Sequence, residues 1–220
     1  MKKSVYSLVL SDDVVKAIDD MAYRLNTSRS NLINQILAEQ VSYKTPESLM
    51  KDIFDCMRTI MDGHFQIQGQ ASDAMLSIRS PLRYKYKPTI RYRVELLKEA
   101  ENDVFGKLSV SFRTQSAQLI SMLEGFFRLW YSLEKAYINN YFPEGVEYAY
   151  SDGRFIRKLK ISKGIGQTSP DLLGNAIGDY IGLLDSEIKL YFAGIDDPGM
   201  TAGKMEKMLV DSINNGMTVI

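Results

Sequence analysis

Residues 2–39 read KKSVYSLVLSDDVVKAIDDMAYRLNTSRSNLINQILAE. Val5 to Leu10 alternate, with Tyr6, Leu8 and Leu10 on one face and Val5, Ser7 and Val9 on the other, the period of a strand. Ser11 stands where an N-cap belongs, and Asp12 and Asp13 follow in a first turn, where carboxylates suit the helix dipole. Val14, Val15, Ile18, Met21, Ala22 and Leu25 then recur at three- and four-residue spacing, which predicts an amphipathic helix. Asn26 tolerates the left-handed conformation that ends a helix. Thr27 and Ser28 offer a new cap, and Leu32, Ile33, Ile36 and Leu37 mark a second helix ending near Gln40.

One strand and two short helices cannot stand alone. The strand leaves its backbone donors and acceptors unpaired, and the two apolar stripes have little to cover them. A symmetric dimer repairs both faults, because two copies of the strand pair antiparallel and four helices enclose one core.

These features resemble the ribbon-helix-helix family, which includes the Arc and methionine repressors. The resemblance covers residues 2–40 and rests on Leu10-Ser11-Asp12-Asp13, Leu25-Asn26, and Thr27-Ser28-Arg29-Ser30 before Leu32-Ile33. It implies a homodimer that lays its paired strands in the major groove of double-stranded DNA. By position, Lys3, Val5, Ser7 and Val9 face the groove. Ser28, Arg29 and Ser30, at the second helix's N-terminus, hold phosphates with Lys2 adding charge, and Tyr6, Leu8 and Leu10 are core. The ribbon is poor in the Arg, Lys, Asn and Gln that read base edges. Specificity then falls to DNA shape, repeated half-sites or a second contact surface. The competing reading is a module that only dimerises the chain.

Val41 to Pro46 breaks the helical pattern, and Pro46 disfavours helix at Thr45. The expected division is a DNA-binding and dimerisation module over 1–44 and a second domain over 45–220. Pro46 suits the first turn of a helix with Leu49, Ile53, Met57, Ile60 and Met61 on one face. A period of two follows: Leu76 and Ile78, Tyr84 and Tyr86, Tyr92 to Leu96, and Leu108 to Phe112. It predicts an antiparallel meander over about 65–114, with turns at Pro88-Thr89 and Ala100–Asp103. Ser116 to about Asn139 reads as a long helix striped by Leu119, Leu123, Phe126, Phe127, Trp130, Leu133 and Tyr137. Over the less legible tail 143–220, Arg154–Lys163 reads as a basic strand and Gly164–Ser169 as a loop. Helices are expected around 171–192 and 201–213. The fold class is therefore α+β: a ribbon-helix-helix segment, then an antiparallel sheet packed with helices.

The chain carries 27 Lys+Arg against 27 Asp+Glu, which excludes nucleic-acid binding by bulk charge and leaves only local arrangements. One such arrangement is the run Arg79, Arg83, Lys85, Lys87, Arg91 and Arg93, with no acidic residue between them. At alternate strand positions it forms a second basic surface, for a phosphate backbone or a small anionic ligand. Its plainer reading is a solvated face whose charges deter edge aggregation and pair with Glu95, Glu99, Glu101 and Asp103. A single cysteine, Cys56, excludes an internal disulfide, and a single histidine, His64, excludes sites needing two. Cys56 is expected to pack as a small hydrophobe and His64 to be partly buried. Gly164-Ile165-Gly166 lacks the rest of a phosphate loop. No nucleophile meets a recognisable base, so no catalysis, no cofactor and no metal site are expected. The apolar run after the N-terminus is too short to span a bilayer, and a cytoplasmic protein is expected.

These readings point to a transcriptional repressor or autoregulator whose second domain senses a ligand, binds a protein or joins dimers into higher oligomers. An accessory protein for plasmid or mobile-element transfer or partition fits the same residues.

Overall fold

The computed structural model describes residue 5 and residues 7–68, 72, 74–85, 87–151, 153–162 and 169–220. The fold is α+β and forms two compact units, Met1–Ser48 and Leu49–Ile220. The division falls four residues later than the break at residue 44 suggests, inside the first turn of a helix.

In the first unit, α1 (Asp12–Arg24) and α2 (Arg29–Gln40) lie where the periodicity places them. Asn26 joins them at φ +50°, the left-handed stop expected of it. Ser28 caps α2, its hydroxyl accepting from the Asn31 N–H at 3.2 Å, and the Asn31 amide donates to Thr27 Oγ1 at 2.9 Å. Ser11 occupies the N-cap of α1 but its side chain caps nothing. The predicted strand is corrected: Val5 and residues 7–10 form no strand, and the element order begins with helices. A strand exists only through a partner's backbone, and the single chain supplies none to this segment.

The second unit is built on a six-stranded antiparallel sheet. Its strands are β1 (Gln66–Ile67), β2 (Met75–Pro81), β3 (Thr89–Glu101), β4 (Val104–Phe112), β5 (Tyr148–Ser151) and β6 (Arg154–Lys160), in spatial order β1-β2-β3-β4-β6-β5. The meander is real, but its centre is corrected. Tyr84 lies in the loop between β2 and β3, where it packs edge-on to Phe192, and Tyr86 lies outside the described residues. Leu82–Pro88 cannot continue either strand, because Pro88 lacks a donor and Lys87 takes φ +44°. The β3–β4 turn has Asn102 and Asp103 at φ +50° and +65°, the paired positive values of the commonest two-residue hairpin turn. The basic strand from Arg154 exists and inserts beside β4. Gly164–Thr168, with the Gly-Ile-Gly fragment, lies outside the described residues.

Alternation sends Leu76, Ile78, Tyr92, Val94, Leu108, Val110, Phe155 and Leu159 into one core, all buried. The helices α3 (Pro46–Met61), α4 (Ala117–Tyr137), α5 (Pro170–Ala193) and α6 (Pro198–Asn214) contribute to the same core, leaving the sheet's other face polar. Thr45, Ser116, Ser169 and Asp197 each accept from an N–H in the first turn of the helix that follows. α5 is buried on nearly all sides and is the central helix of the layer.

Gly174 sets how closely α5 meets α3. A Cβ there would stand 2.7 Å from Cβ of Cys56 and 2.9 Å from the Ile53 carbonyl oxygen, whereas at Gly182 it would meet nothing within 4 Å. Gly174→Ala is therefore expected to destabilise by about 1–3 kcal/mol through overpacking. Gly182→Ala should be neutral or stabilising through helix propensity. Urea midpoints of the two variants, read against the parent, check the pair.

Candidate nucleic-acid and anion-binding surfaces

The first unit exposes apolar side chains that a small folded unit normally hides. Val5 and Val9 are fully exposed, and Leu8, Leu10, Val14, Met21, Leu25, Ile36 and Leu37 are exposed to between 40% and 58%. Ser7 is exposed as well, so neither face of the expected ribbon is covered, and Leu8 and Leu10 are not core within the single chain. Lys2, Lys3 and Tyr6 lie outside the described residues. Buried side chains in α1 and α2 are confined to Ala22, Leu32 and Ala38.

At the start of α2, Ser28, Arg29 and Ser30 are all exposed. The first turn of α2 holds no acidic residue, unlike that of α1 with Asp12 and Asp13. The first turn of α2 itself thus adds no negative charge to its positive dipole end. The Arg29 guanidinium is not free, however. It grips the Asp19 carboxylate through both Nε and a terminal nitrogen, a pairing that raises its pKa. Position along the sequence cannot reveal this, since Asp19 sits one helix away.

On the polar face of the sheet, register brings cations together. Arg79 of β2 lies opposite Arg91 of β3, Arg91 opposite Ser111 of β4, and Ser111 opposite Arg154 of β6. With Lys87 and Arg113 they line a cleft of about 610 Å³. Three of the six residues of the expected basic surface, Arg79, Lys87 and Arg91, meet there. Arg93 lies on the same face in the neighbouring register row, opposite Ser77 and Ser109. Arg83 and Lys85 are corrected: both are exposed in the β2–β3 loop, outside the cleft lining. Arg113 and Arg154 belong to the cluster although they are distant in sequence. The only sign of them was the alternation in β4 and β6, and register was needed to use it.

Of the acidic residues expected to pair with that face, Glu95 is engaged by a lysine outside the cleft, and so is Glu147. Glu95 pairs with Lys107 at 2.9 Å, and Glu147 pairs with Lys158 at 2.6 Å. Lys158 holds the Glu147 carboxyl below its usual range. Among the described residues, no ion pair engages Arg79, Lys87, Arg91, Arg113 or Arg154, and no carboxylate lines the cleft.

A second cavity, of about 730 Å³, lies between α3, α5 and α6 and is lined by His64, Asp179, Asp185, Ser186 and Lys189. His64 is exposed there rather than partly buried, because it follows the end of α3 in a turn. Asp185 is already committed to Lys189 at 2.5 Å and to the Tyr92 hydroxyl at 2.9 Å. Cys56 lies beside Gly174 but is only partly buried, and its thiol donates to the Asp171 carbonyl oxygen at 3.6 Å and to Asn175 Oδ1 at 3.8 Å rather than packing purely as a small hydrophobe; burial, then the charge of Asp171, pushes its pKa up. Among the described residues, no three His, Cys, Asp or Glu side chains converge as metal ligands, and no helix is long and apolar enough to cross a membrane.

No family model, curated protein or solved structure matches the chain.

Proposed function

We propose that the protein is a homodimeric DNA-binding regulator, acting through residues 1–44 in the ribbon-helix-helix manner. The observation that carries this reading is the exposed apolar set of the first unit, Leu8, Leu10, Val14, Met21, Leu25, Ile36 and Leu37. So many large apolar side chains exposed in so small a unit favour an interaction surface. A second copy of the same segment matches it in chemistry and also supplies the strand partner that residues 5–10 lack. The exposed start of α2, with the Ser28 and Ser30 hydroxyls at its positive dipole end, supports phosphate binding there. Binding of a promoter by dimers on paired half-sites would then occlude it, giving repression or autoregulation.

The Arg29–Asp19 clamp refines the mechanism. Arg29 reaches a phosphate only by sharing or leaving Asp19, so the α2 backbone N–H groups and the Ser28 and Ser30 hydroxyls carry more of the contact. The test is binding of the purified chain to its own upstream DNA and to a random duplex of equal length, at two salt concentrations. The expected result is a preference for upstream DNA that survives the higher salt. Arg29→Ala should lower affinity roughly three- to tenfold while sedimentation still reports a dimer, and Asp19→Asn, which frees the guanidinium, should raise it. A dimer that binds neither duplex would identify the module as a dimeriser only. A monomer at micromolar concentration would remove the reading altogether.

A further inference from the structure

The cationic cleft on the open face of the sheet is unexplained by folding. Like charges directly opposite one another on adjacent strands are destabilising. Yet Arg79 faces Arg91 across the β2–β3 ladder, with Arg154 two strands further on in the same register row. Lys87 and Arg113 add to them around a cleft of about 610 Å³, while the acids nearby neutralise other lysines. We propose that this cleft binds a compact polyanion bearing several phosphate groups, of the di- or triphosphate class. The site goes beyond the DNA-binding reading and lies wholly within the unit Leu49–Ile220.

Four of the five cations are arginines, whose planar fork matches phosphate oxygens two at a time. Ser111, at the centre of the row, adds a hydroxyl donor. The volume falls within the roughly 300–1,000 Å³ of small-ligand sites. Arg93 extends the cations by one register row, but among the described residues the face carries them no further unpaired, which argues against a nucleic-acid track, since that requires a continuous stripe of free cations. Further along the same face the lysines Lys107 and Lys158 are neutralised by Glu95 and Glu147, and Met75 and Ile156 break the polar pattern.

The test is calorimetric titration of the full chain with inorganic tripolyphosphate, orthophosphate, a nucleoside triphosphate and a 20-base-pair duplex. Tripolyphosphate is expected to bind once per chain, at least tenfold tighter than orthophosphate, and to raise the melting temperature. Arg91→Ala and Arg154→Ala should each weaken it tenfold or more, with melting temperatures of the free variants unchanged or higher because a like-charge contact is relieved. Lys107→Ala, on the same face but paired, and Arg29→Ala, in the other unit, should leave it intact. A nucleoside triphosphate binding tighter than tripolyphosphate would identify a nucleotide as the source of the phosphates; equal affinity would identify the phosphate chain alone. Absence of tripolyphosphate binding would overturn the proposal. So would equal weakening by Lys107→Ala, or duplex binding that needs Arg91 and Arg154 and excludes tripolyphosphate, which would make the face a nucleic-acid surface instead.

Discussion

Arg157→Leu is expected to destabilise the second unit by about 3–5 kcal/mol, a fall in melting temperature of roughly 10–15 °C. Arg157 and Glu134 are both fully buried, joined by Arg157 Nε donating to Glu134 Oε2 at 3.1 Å. The guanidinium also donates to the Ile220 carbonyl oxygen at 2.5 Å and lies over the Tyr180 ring at 4.4 Å. It thus ties β6 to α4, to α5 and to the segment that carries Val219 and Ile220 into the core. Leucine would fill some of the volume but strand the Glu134 carboxylate, whose Oε1 already has no partner among the described residues. An uncompensated buried charge is the costly part. The double variant Arg157→Leu with Glu134→Leu should therefore recover most of the loss. Urea unfolding of the two single variants and the double variant checks this, and a double variant no more stable than Arg157→Leu alone would show that the packing of Arg157 on Tyr180 matters more than the pair.

The second large effect depends on pH. Glu187 of α5 is fully buried, neither carboxylate oxygen has a hydrogen-bond partner among the described residues, and burial raises its pKa from 4.5 to about 8. The folded state holds this proton more tightly than the unfolded chain does. Its contribution to stability is fully present below about pH 4.5, declines as pH rises, and is lost by the time pH passes about 8. Glu187→Gln cannot ionise and should not share that decline. The variant is expected to gain on the parent between pH 5 and 8.5, by on the order of a few kcal/mol at the upper end. Denaturation midpoints at the two pH values decide it: a constant difference between variant and parent would mean that Glu187 is solvated or paired in solution.

Both side chains carry a sequence signature. Arg157 falls between Phe155 and Leu159 on the inward phase of β6, and Glu134 sits on the stripe of α4, one turn after Trp130. A charge at an apolar-phase position marks a buried partner, but alternation cannot say which one, because the match joins elements far apart in the chain. The first helices were legible for a local reason, since Ser11 and Thr27-Ser28 stand directly before the stripes they start; in the tail the Ser169 and Asp197 caps were not read as such, and the last helix begins at Pro198, three residues before its expected start. Strands β2, β3 and β4 were legible through alternation over seven or more residues. β1 and β5, of two and four residues, are too short for a period to show.

The candidate cleft was half legible for the same reason. Alternation assigned Arg79, Arg91 and Arg93 to the polar face, but only register sets Arg154 in line with Arg79 and Arg91. Arg83 and Lys85 were drawn into the stripe because Tyr84 mimicked a strand phase, whereas its ring is held by Phe192 from a loop. At the N-terminus the limit is of another kind. Alternation specifies a strand only where a partner strand supplies the hydrogen bonds, and Val5 and residues 7–10 form none.

The strand order has a consequence for the order of synthesis. β4 and its eventual neighbour β6 are separated in the chain by the whole of α4 and by β5. At about 5–20 residues per second, β2, β3 and β4 are complete for a few seconds before β6 leaves the ribosome. Throughout that interval β4 is the open margin of a nascent four-stranded sheet, β1-β2-β3-β4, presenting unpaired backbone groups beside Val104, Phe105, Leu108 and Val110. Such a margin is a template for another nascent chain. α3, made before the sheet, can dock on that apolar face from the start, and α4, with its buried aromatic stripe, joins it before β6 is made. Their early docking shields the side chains while the backbone edge waits for β6, so the yield of native protein at high expression depends on how quickly the β5–β6 hairpin arrives.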